Sequence, residues 1–449
     1  MNKKRISVLL NVCLVLLGVW VCYCTWSFAY IKGLNPKADE IKIEILEDDV
    51  IRNTYEGSIL DSKGNIISYA VKKGTNGGVI DHECYQRLVG FSSAAYGKSG
   101  LRSLYRDELW TPDKKTSKGA TIRLTTNSDI QSIAYEEINS YTEGESCAIV
   151  LENKTGKVIA LASANAAYNL DYNNLTEDSV KKANSIEGFF LNPWQAKHAP
   201  GSVIKAVTGI AIAEKGYSEE VYYDSGVETV DGHDFHNFGN YNYENVALVG
   251  GMQNSVNTYF AHMGMKVGSY ILRDVHERLL IGKTLELDFG TISSEHNLDK
   301  DISKTNIAAS AFGQGKLLIT PMNIAMIAQS IANDGIMLKP YIVESIITDS
   351  GKVLQEGKKE AVSEVSDKKT ISVIKNALLE TGIHYKINSK RKIGAKTGSA
   401  QLGNGLNRAT FMSFNEDYTV VICVNNTSKR GSALKESALR IFDALEKIK

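Results

Sequence analysis

Residues 148–162 read Ala148-Ile-Val-Leu-Glu-Asn-Lys-Thr-Gly-Lys-Val-Ile-Ala-Leu-Ala162. Two apolar runs, Ala148 to Leu151 and Val158 to Ala162, flank the turn Asn153-Lys-Thr-Gly156, which is the pattern of a β-hairpin. Strand-like runs return only near the far end, at Ala409-Thr-Phe-Met-Ser-Phe414 and from Tyr418 to Val424, before a helical stretch from about Ala433 to Ile448. Helical patterns dominate the middle. Strands at both ends of a helical middle predict an α+β fold, an antiparallel sheet with flanking helices.

Working outward, 449 residues exceed what one hydrophobic core normally organises. The run from Ile6 to Ile31 is almost wholly apolar and long enough to cross a bilayer as a helix. It exceeds a typical signal-peptide core, and no small-x-small cleavage site follows it. Lys3, Lys4 and Arg5 precede it, so the positive-inside rule puts the N-terminus in the cytoplasm and the rest outside a plasma membrane. A polar stretch then leads to short alternating segments near Glu44 to Ile67, a Gly-rich region from Gly74 to Gly100, and the polar linker Thr111-Pro-Asp-Lys-Lys-Thr-Ser-Lys-Gly119. The expected organisation is a cytoplasmic N-terminus with one transmembrane helix (1–34), a small irregular N-terminal domain and linker (35–119), and the α+β domain (120–449).

Lys plus Arg and Asp plus Glu are equal at 51 each, which leaves no net pull toward a polyanion and disfavours a nucleic-acid partner. Of six cysteines, Cys13, Cys22 and Cys24 lie in the apolar span. Cys84, Cys147 and Cys423 form an odd, widely spaced set that is no disulfide framework. Cys147 and Cys423 sit in apolar runs and read as small buried residues. No metal-ligand spacing is present, and no cofactor is implied.

Nucleophilic serine chemistry needs a hydroxyl, a base within hydrogen-bond reach and donors aimed at the developing oxyanion. Ser202-Val-Ile-Lys205 offers the first two. Pro200-Gly201 precedes it and Ala206-Val-Thr-Gly-Ile-Ala-Ile-Ala213 continues as an apolar helix, so the serine is expected at a helix start. Lys205, three residues on, falls on the same helix face, where an apolar setting disfavours its charged form and makes a neutral amine base available. The pattern alone is weak: Ser-x-x-Lys also begins at Ser179, Ser366, Ser372, Ser389 and Ser432, Ser-x-Asn begins at Ser163, Ser255 and Ser413, and Lys-Thr-Gly at Lys154 and Lys396.

Order separates them, because the chain resembles penicillin-binding proteins and serine β-lactamases, which carry Ser-x-x-Lys, Ser-x-Asn and Lys-Thr-Gly in that sequence. No Ser-x-Asn precedes Lys154, so Lys396 is the last motif. Only Ser255-Val-Asn257 can then be the middle one. Ser179 lies among polar residues without an apolar helix behind it, which leaves Ser202. Leu124-Thr-Thr-Asn-Ser-Asp-Ile-Gln131, Ala311-Phe-Gly-Gln-Gly315, and Ile319-Thr-Pro321 through Ala332-Asn-Asp-Gly335 are similar to segments of the same family. Arg52-Asn53, Gly57-Ser-Ile-Leu-Asp61 and Tyr96-Gly-Lys-Ser-Gly100 resemble the N-terminal domain of its class B, monofunctional members.

The resemblance implies a peptidoglycan D,D-transpeptidase with Ser202 as nucleophile, Lys205 as base and Ser255 as proton relay. Asn257 would hold Lys205 and the substrate amide, and Lys396 would support Ser255. Thr397 and Ser399 would bind the terminal carboxylate, Gly398 would let substrate approach the strand, and the N–H groups of Ser202 and Ser399 would form the oxyanion hole. Stem peptides, β-lactams, the plasma membrane and a polytopic glycan polymerase are the implied partners. Two departures stand out: Glu56 replaces the usual Arg before Gly57, and Ser399 stands where Thr is common. His198 lacks an orienting carboxylate and reads as structural, while His233, His236, Tyr241 and Tyr243 fit either a cleft mouth or a surface loop. Rival functions are a D,D-carboxypeptidase, a β-lactamase and a non-enzymatic sensor or scaffold. Glu295-His-Asn-Leu298 does not match the Glu-x-x-Leu-Asn that one class of β-lactamase uses for deacylation.

Overall fold

The structure, a computed structural model, describes residues 48–448 apart from 80–81, 94, 114, 142–143, 166–167, 187–190, 388–391 and 404. The expected membrane span at 6–31 lies outside the described residues. Among the described residues, no helix is long and apolar enough to cross a membrane.

The hairpin expected at 148–162 forms as β1 (Glu145–Glu152) and β2 (Val158–Asn165). A long insertion follows, in which short strands interrupt the helices that the sequence led one to expect, before the chain returns as the meander β3 (Gly394–Gly403), β4 (Leu406–Phe414) and β5 (Tyr418–Thr427). The strands order as β3-β4-β5-β1-β2 and all neighbours are antiparallel. Closure of β5 on β1 brings Cys423 opposite Cys147, both buried and free. The α+β reading therefore holds for this five-stranded sheet and the helices packed on it.

Helices cover this sheet for reasons visible in their sequences. In α1 (Ser128–Asn139), Asn127 caps the N-terminus by accepting from the Asp129 and Ile130 N–H groups. One turn on, buried Gln131 accepts from Leu161 N–H at 2.8 Å and donates to the Leu161 and Cys84 carbonyls, which ties α1 to β2. The hydrophobic helix behind Ser202 is α2 (Lys205–Glu214), and α3 (Asn257–Val267) packs beside it. All twelve residues of α4 (Pro321–Ala332) are buried, and it packs on β5, β1 and β4. Each fully buried Met or Ile there contributes about 1.5–3 kcal/mol. Finally, α5 (Lys368–His384) leans on β3 and α2, and α6 (Lys435–Lys447) packs on α1 and β5.

A second sheet joins distant parts of the sequence. Its strands run Val353–Glu356, Val343–Ile347, Thr121–Leu124, Ile59–Leu60, Ile66–Tyr69 and Gly78–Val79. Ile59–Leu60 pairs in parallel with Thr121–Leu124, so the segment before Gly119 shares backbone hydrogen bonds with the part after it. The unusual Glu56 has its explanation here. It is buried and receives Arg102 Nε at 2.9 Å and Nη2 at 3.2 Å, while Arg102 also donates to Gly90 O, Ser68 Oγ and Gly77 O. Burial pushes the Glu56 carboxyl up from its usual value despite the guanidinium beside it. Glu56 thus points into the fold, where every fork of Arg102 is used.

Candidate active site

Ser202 lies in a 3-10 turn, Gly201–Ile204, that runs directly into α2. Gly201 takes φ 58°, a left-handed conformation that glycine adopts without a Cβ penalty, and its N–H donates to Gly313 O. Ser202 is half-buried and lines a cleft of about 650 Å³. Lys205 is the first residue of α2 and fully buried.

Lys205 Nζ lies 2.6 Å from the Ser255 carbonyl, 2.7 Å from Asn257 Oδ1 and 3.1 Å from Ser255 Oγ, all within hydrogen-bond distance. Burial pushes its amine well below the usual lysine value, and Lys396 pushes it the same way. Ser255 is placed by an uncommon backbone: after the helix Leu248–Gln253 ends, it adopts φ 55°, which is rare for a residue with a Cβ. That conformation lets one residue present both its carbonyl and its hydroxyl to Lys205. Such strain is of order 1 kcal/mol.

Asn257 opens α3, with its amide held by the carbonyl of His236 at 3.0 Å. Beneath it Asp224 accepts from Asn237 Nδ2 at 2.8 Å, Thr258 Oγ1 at 2.7 Å and Tyr243 N–H at 2.9 Å. This buried network ties the hairpin Val227–Val230/His233–His236 to the start of α3. Nothing in the sequence flagged Asp224; a buried Asp in a Gly/Asn/Tyr-rich stretch was its only signal. His236 and Tyr243 line the cleft, whereas Tyr241 is exposed.

On the opposite wall, β3 carries Lys396, Thr397, Gly398 and Ser399. Lys396 is fully buried and donates to Ser255 Oγ at 3.0 Å, so two lysines converge on one hydroxyl. Thr397 and Ser399 line the cleft, and Ser399 Oγ accepts from Gly431 N–H at 3.0 Å. A Cβ on Gly398 would sit 2.7 Å from Pro200 O, so the absent side chain is what allows β3 to lie against the Ser202 turn. Tyr385, the C-cap of α5, was also not foreseen; its hydroxyl lies 3.0 Å from Thr397 Oγ1 and 3.4 Å from Lys396 Nζ.

The remaining candidates fall elsewhere. Ser179 closes an exposed capping box with Thr176. Lys154 reaches Asn333 from the hairpin turn, and Lys375 reaches Ala332 O and Asp334. His198 pairs through its backbone with Ile319 and lines a separate small cavity with Arg408, Cys147 and Cys423. Burial and Arg408 push its imidazole down to about 3, so it stays neutral. No Asp or Glu is among the described residues lining the Ser202 cleft.

Residues 146–445, more than half of the chain, match the model of the penicillin-binding protein transpeptidase domain. The chain is 24% identical over 379 residues to the peptidoglycan D,D-transpeptidase PbpA of Mycolicibacterium smegmatis, which covers 77% of this chain and 75% of that protein. It is 23% identical to penicillin-binding protein 3 of Bacillus subtilis, over 75% of this chain and 54% of that one. Among solved structures, the D,D-transpeptidase domain of a peptidoglycan glycosyltransferase from Eggerthella lenta superposes with a TM-score of 0.79 at 23% identity, covering 88% of this chain and all of that one. Penicillin-binding protein A of M. tuberculosis, as its ceftriaxone acyl-enzyme complex, also gives 0.79, at 19% identity over 88% of this chain and 99% of that one. With its matching domain and fold, the chain belongs to the penicillin-binding protein transpeptidase family and carries a serine-type D,D-transpeptidase domain.

Proposed function

We propose that the chain cross-links peptidoglycan through an acyl-enzyme on Ser202. The observation that carries this reading is the buried Lys205 amine, three residues from Ser202 and held by Ser255 and Asn257 at hydrogen-bond distance. Ser202 Oγ attacks the penultimate D-Ala carbonyl of a stem peptide and gives its proton to neutral Lys205. The tetrahedral oxyanion is held by the N–H groups of Ser202 and Ser399. Ser255, shared by Lys205 and Lys396, passes a proton to the departing D-Ala nitrogen. Asn257 holds the substrate amide, and Thr397 and Ser399 take the terminal carboxylate. An acceptor amine from a second stem peptide then attacks the ester and releases Ser202.

Transfer is favoured over hydrolysis by the absence of an Asp or Glu among the described cleft residues, since deacylation by water needs a second base on the open face of the ester. β-Lactams occupy the same site by presenting a strained amide and a carboxylate. The apolar run at 6–31 supports a single-pass plasma-membrane anchor; in the same reading residues 35–119 form a small domain before the catalytic one, and a polytopic polymerase supplies the glycan strands. Incubation with a donor stem peptide and an acceptor amine tests the reading. Transfer product is expected; release of D-Ala with hydrolysis alone would make the protein a carboxypeptidase.

A further inference from the structure

Tyr385 reaches Lys396 and Thr397 from outside the three motifs. Lys396 Nζ donates along the 3.4 Å contact, so the Tyr385 oxygen is the acceptor. The phenol keeps its single proton to give to Thr397 Oγ1, 3.0 Å away, in a contact where either hydroxyl can be the donor. A threonine hydroxyl that accepts there has its own proton left for another partner, and Thr397 lines the Ser202 cleft. With Tyr385 as the donor to Thr397, the chain of donors runs from Lys396 through Tyr385 and Thr397 into the cleft.

We propose that Tyr385 is a positioning residue that turns the Thr397 hydroxyl proton toward the carboxylate of the bound substrate. The inference rests on the reading above, in which Thr397 takes that carboxylate. Two features strengthen the polarity of the chain. The other contacts of Lys396 Nζ are Ser255 Oγ and the Thr397 carbonyl at 3.3 Å, neither of them a carboxylate, so the charge falls on the Tyr385 side undiminished. Burial pushes the Tyr385 phenol up, but its surroundings, foremost the Lys396 charge, draw it below its usual value, which makes it a stronger donor. Position 385 is held by the end of α5 and by Lys435 Nζ on its carbonyl at 3.4 Å, so the ring is anchored independently of substrate.

The test compares acylation of the full-length protein by benzylpenicillin and by its methyl ester, which lacks the carboxylate charge. The ratio of the two rates is the readout, because partial loss of folded protein cancels in it. Tyr385→Phe is expected to lower the ratio by roughly tenfold or more, the scale of one hydrogen bond to a charged group. Should Tyr385→Phe not fold, Tyr385→Leu is read by the same ratio. Thr397→Val should lower the ratio likewise, and adding Tyr385→Phe to it should change nothing further. An unchanged ratio in the Tyr385 variants, or effects that multiply in the double variant, would overturn the inference while leaving the functional reading intact. A wild-type protein that neither compound acylates would overturn the functional reading, and the inference with it.

Discussion

Ser255 Oγ lies 3.1 Å from Lys205 Nζ and 3.0 Å from Lys396 Nζ, so a single hydroxyl bridges the two buried lysines of the cleft. Two adjacent ammonium groups away from water repel, and burial disfavours the charge on Lys205. The bridge is therefore most stable with one amine neutral, and Lys205 is the one pushed down. In the proposed mechanism that asymmetry assigns the base role to Lys205.

Its pH consequence has a definite sign. Acylation needs the neutral amine, whose fraction falls as pH drops through the depressed Lys205 value. The acylation rate should decline below that depressed value and hold a plateau above it. Lys205→Ala should slow acylation by ~10²- to 10⁴-fold while the protein remains folded. Stopped-flow acylation across pH checks both, and a wild-type profile that kept falling from strongly alkaline pH would mean an unshifted lysine.

Ser202→Ala should abolish covalent labelling by a fluorescent penicillin, whereas Ser179→Ala should label normally. The reason for the contrast is that Ser179 Oγ serves a capping box on the exposed helix Glu177–Asn184. Gel fluorescence of the two variants decides it. Labelling of Ser202→Ala at the wild-type rate would move the nucleophile elsewhere.

Removing one partner of the buried Glu56–Arg102 pair leaves an unpaired charge. Arg102→Ala should destabilise the protein by about 3–5 kcal/mol. The double variant Glu56→Leu/Arg102→Met should recover much of that loss, because an apolar pair leaves no stranded charge. Denaturant unfolding of the wild type and the two variants measures it, and a double variant no more stable than Arg102→Ala would show that Arg102 acts mainly through Gly90 O, Ser68 Oγ and Gly77 O.

The penicilloyl adduct on Ser202 should outlast its own formation by a wide margin, since the cleft's described lining offers water no carboxylate base. Mass spectrometry after rapid acylation should find the intact adduct and no catalytic loss of β-lactam. Rapid multiple turnover would instead point to a β-lactamase with another deacylation route.

Local sequence determined those parts of the molecule whose physics is local. The hairpin at 148–162 follows from apolar runs around a Gly turn, and the Ser202–Lys205 spacing puts hydroxyl and amine near one another on one helical turn whatever surrounds them. The order of the three motifs was equally legible, because it is a property of the chain alone. Tertiary structure decided everything that depends on which remote segments meet. Ile59–Leu60 pairs with Thr121–Leu124, Glu56 finds Arg102 46 residues on, and Asp224 gathers Asn237, Tyr243 and Thr258, none of which any periodicity encodes. Gly398 was read as room for substrate, yet the atom nearest its missing Cβ is Pro200 O, a contact created by docking β3 on the Ser202 turn. Tyr385 escaped the motif reading for the same reason: it reaches Lys396 and Thr397 because α5 ends beside β3, and that adjacency is a consequence of close packing between elements whose sequences carry no record of each other.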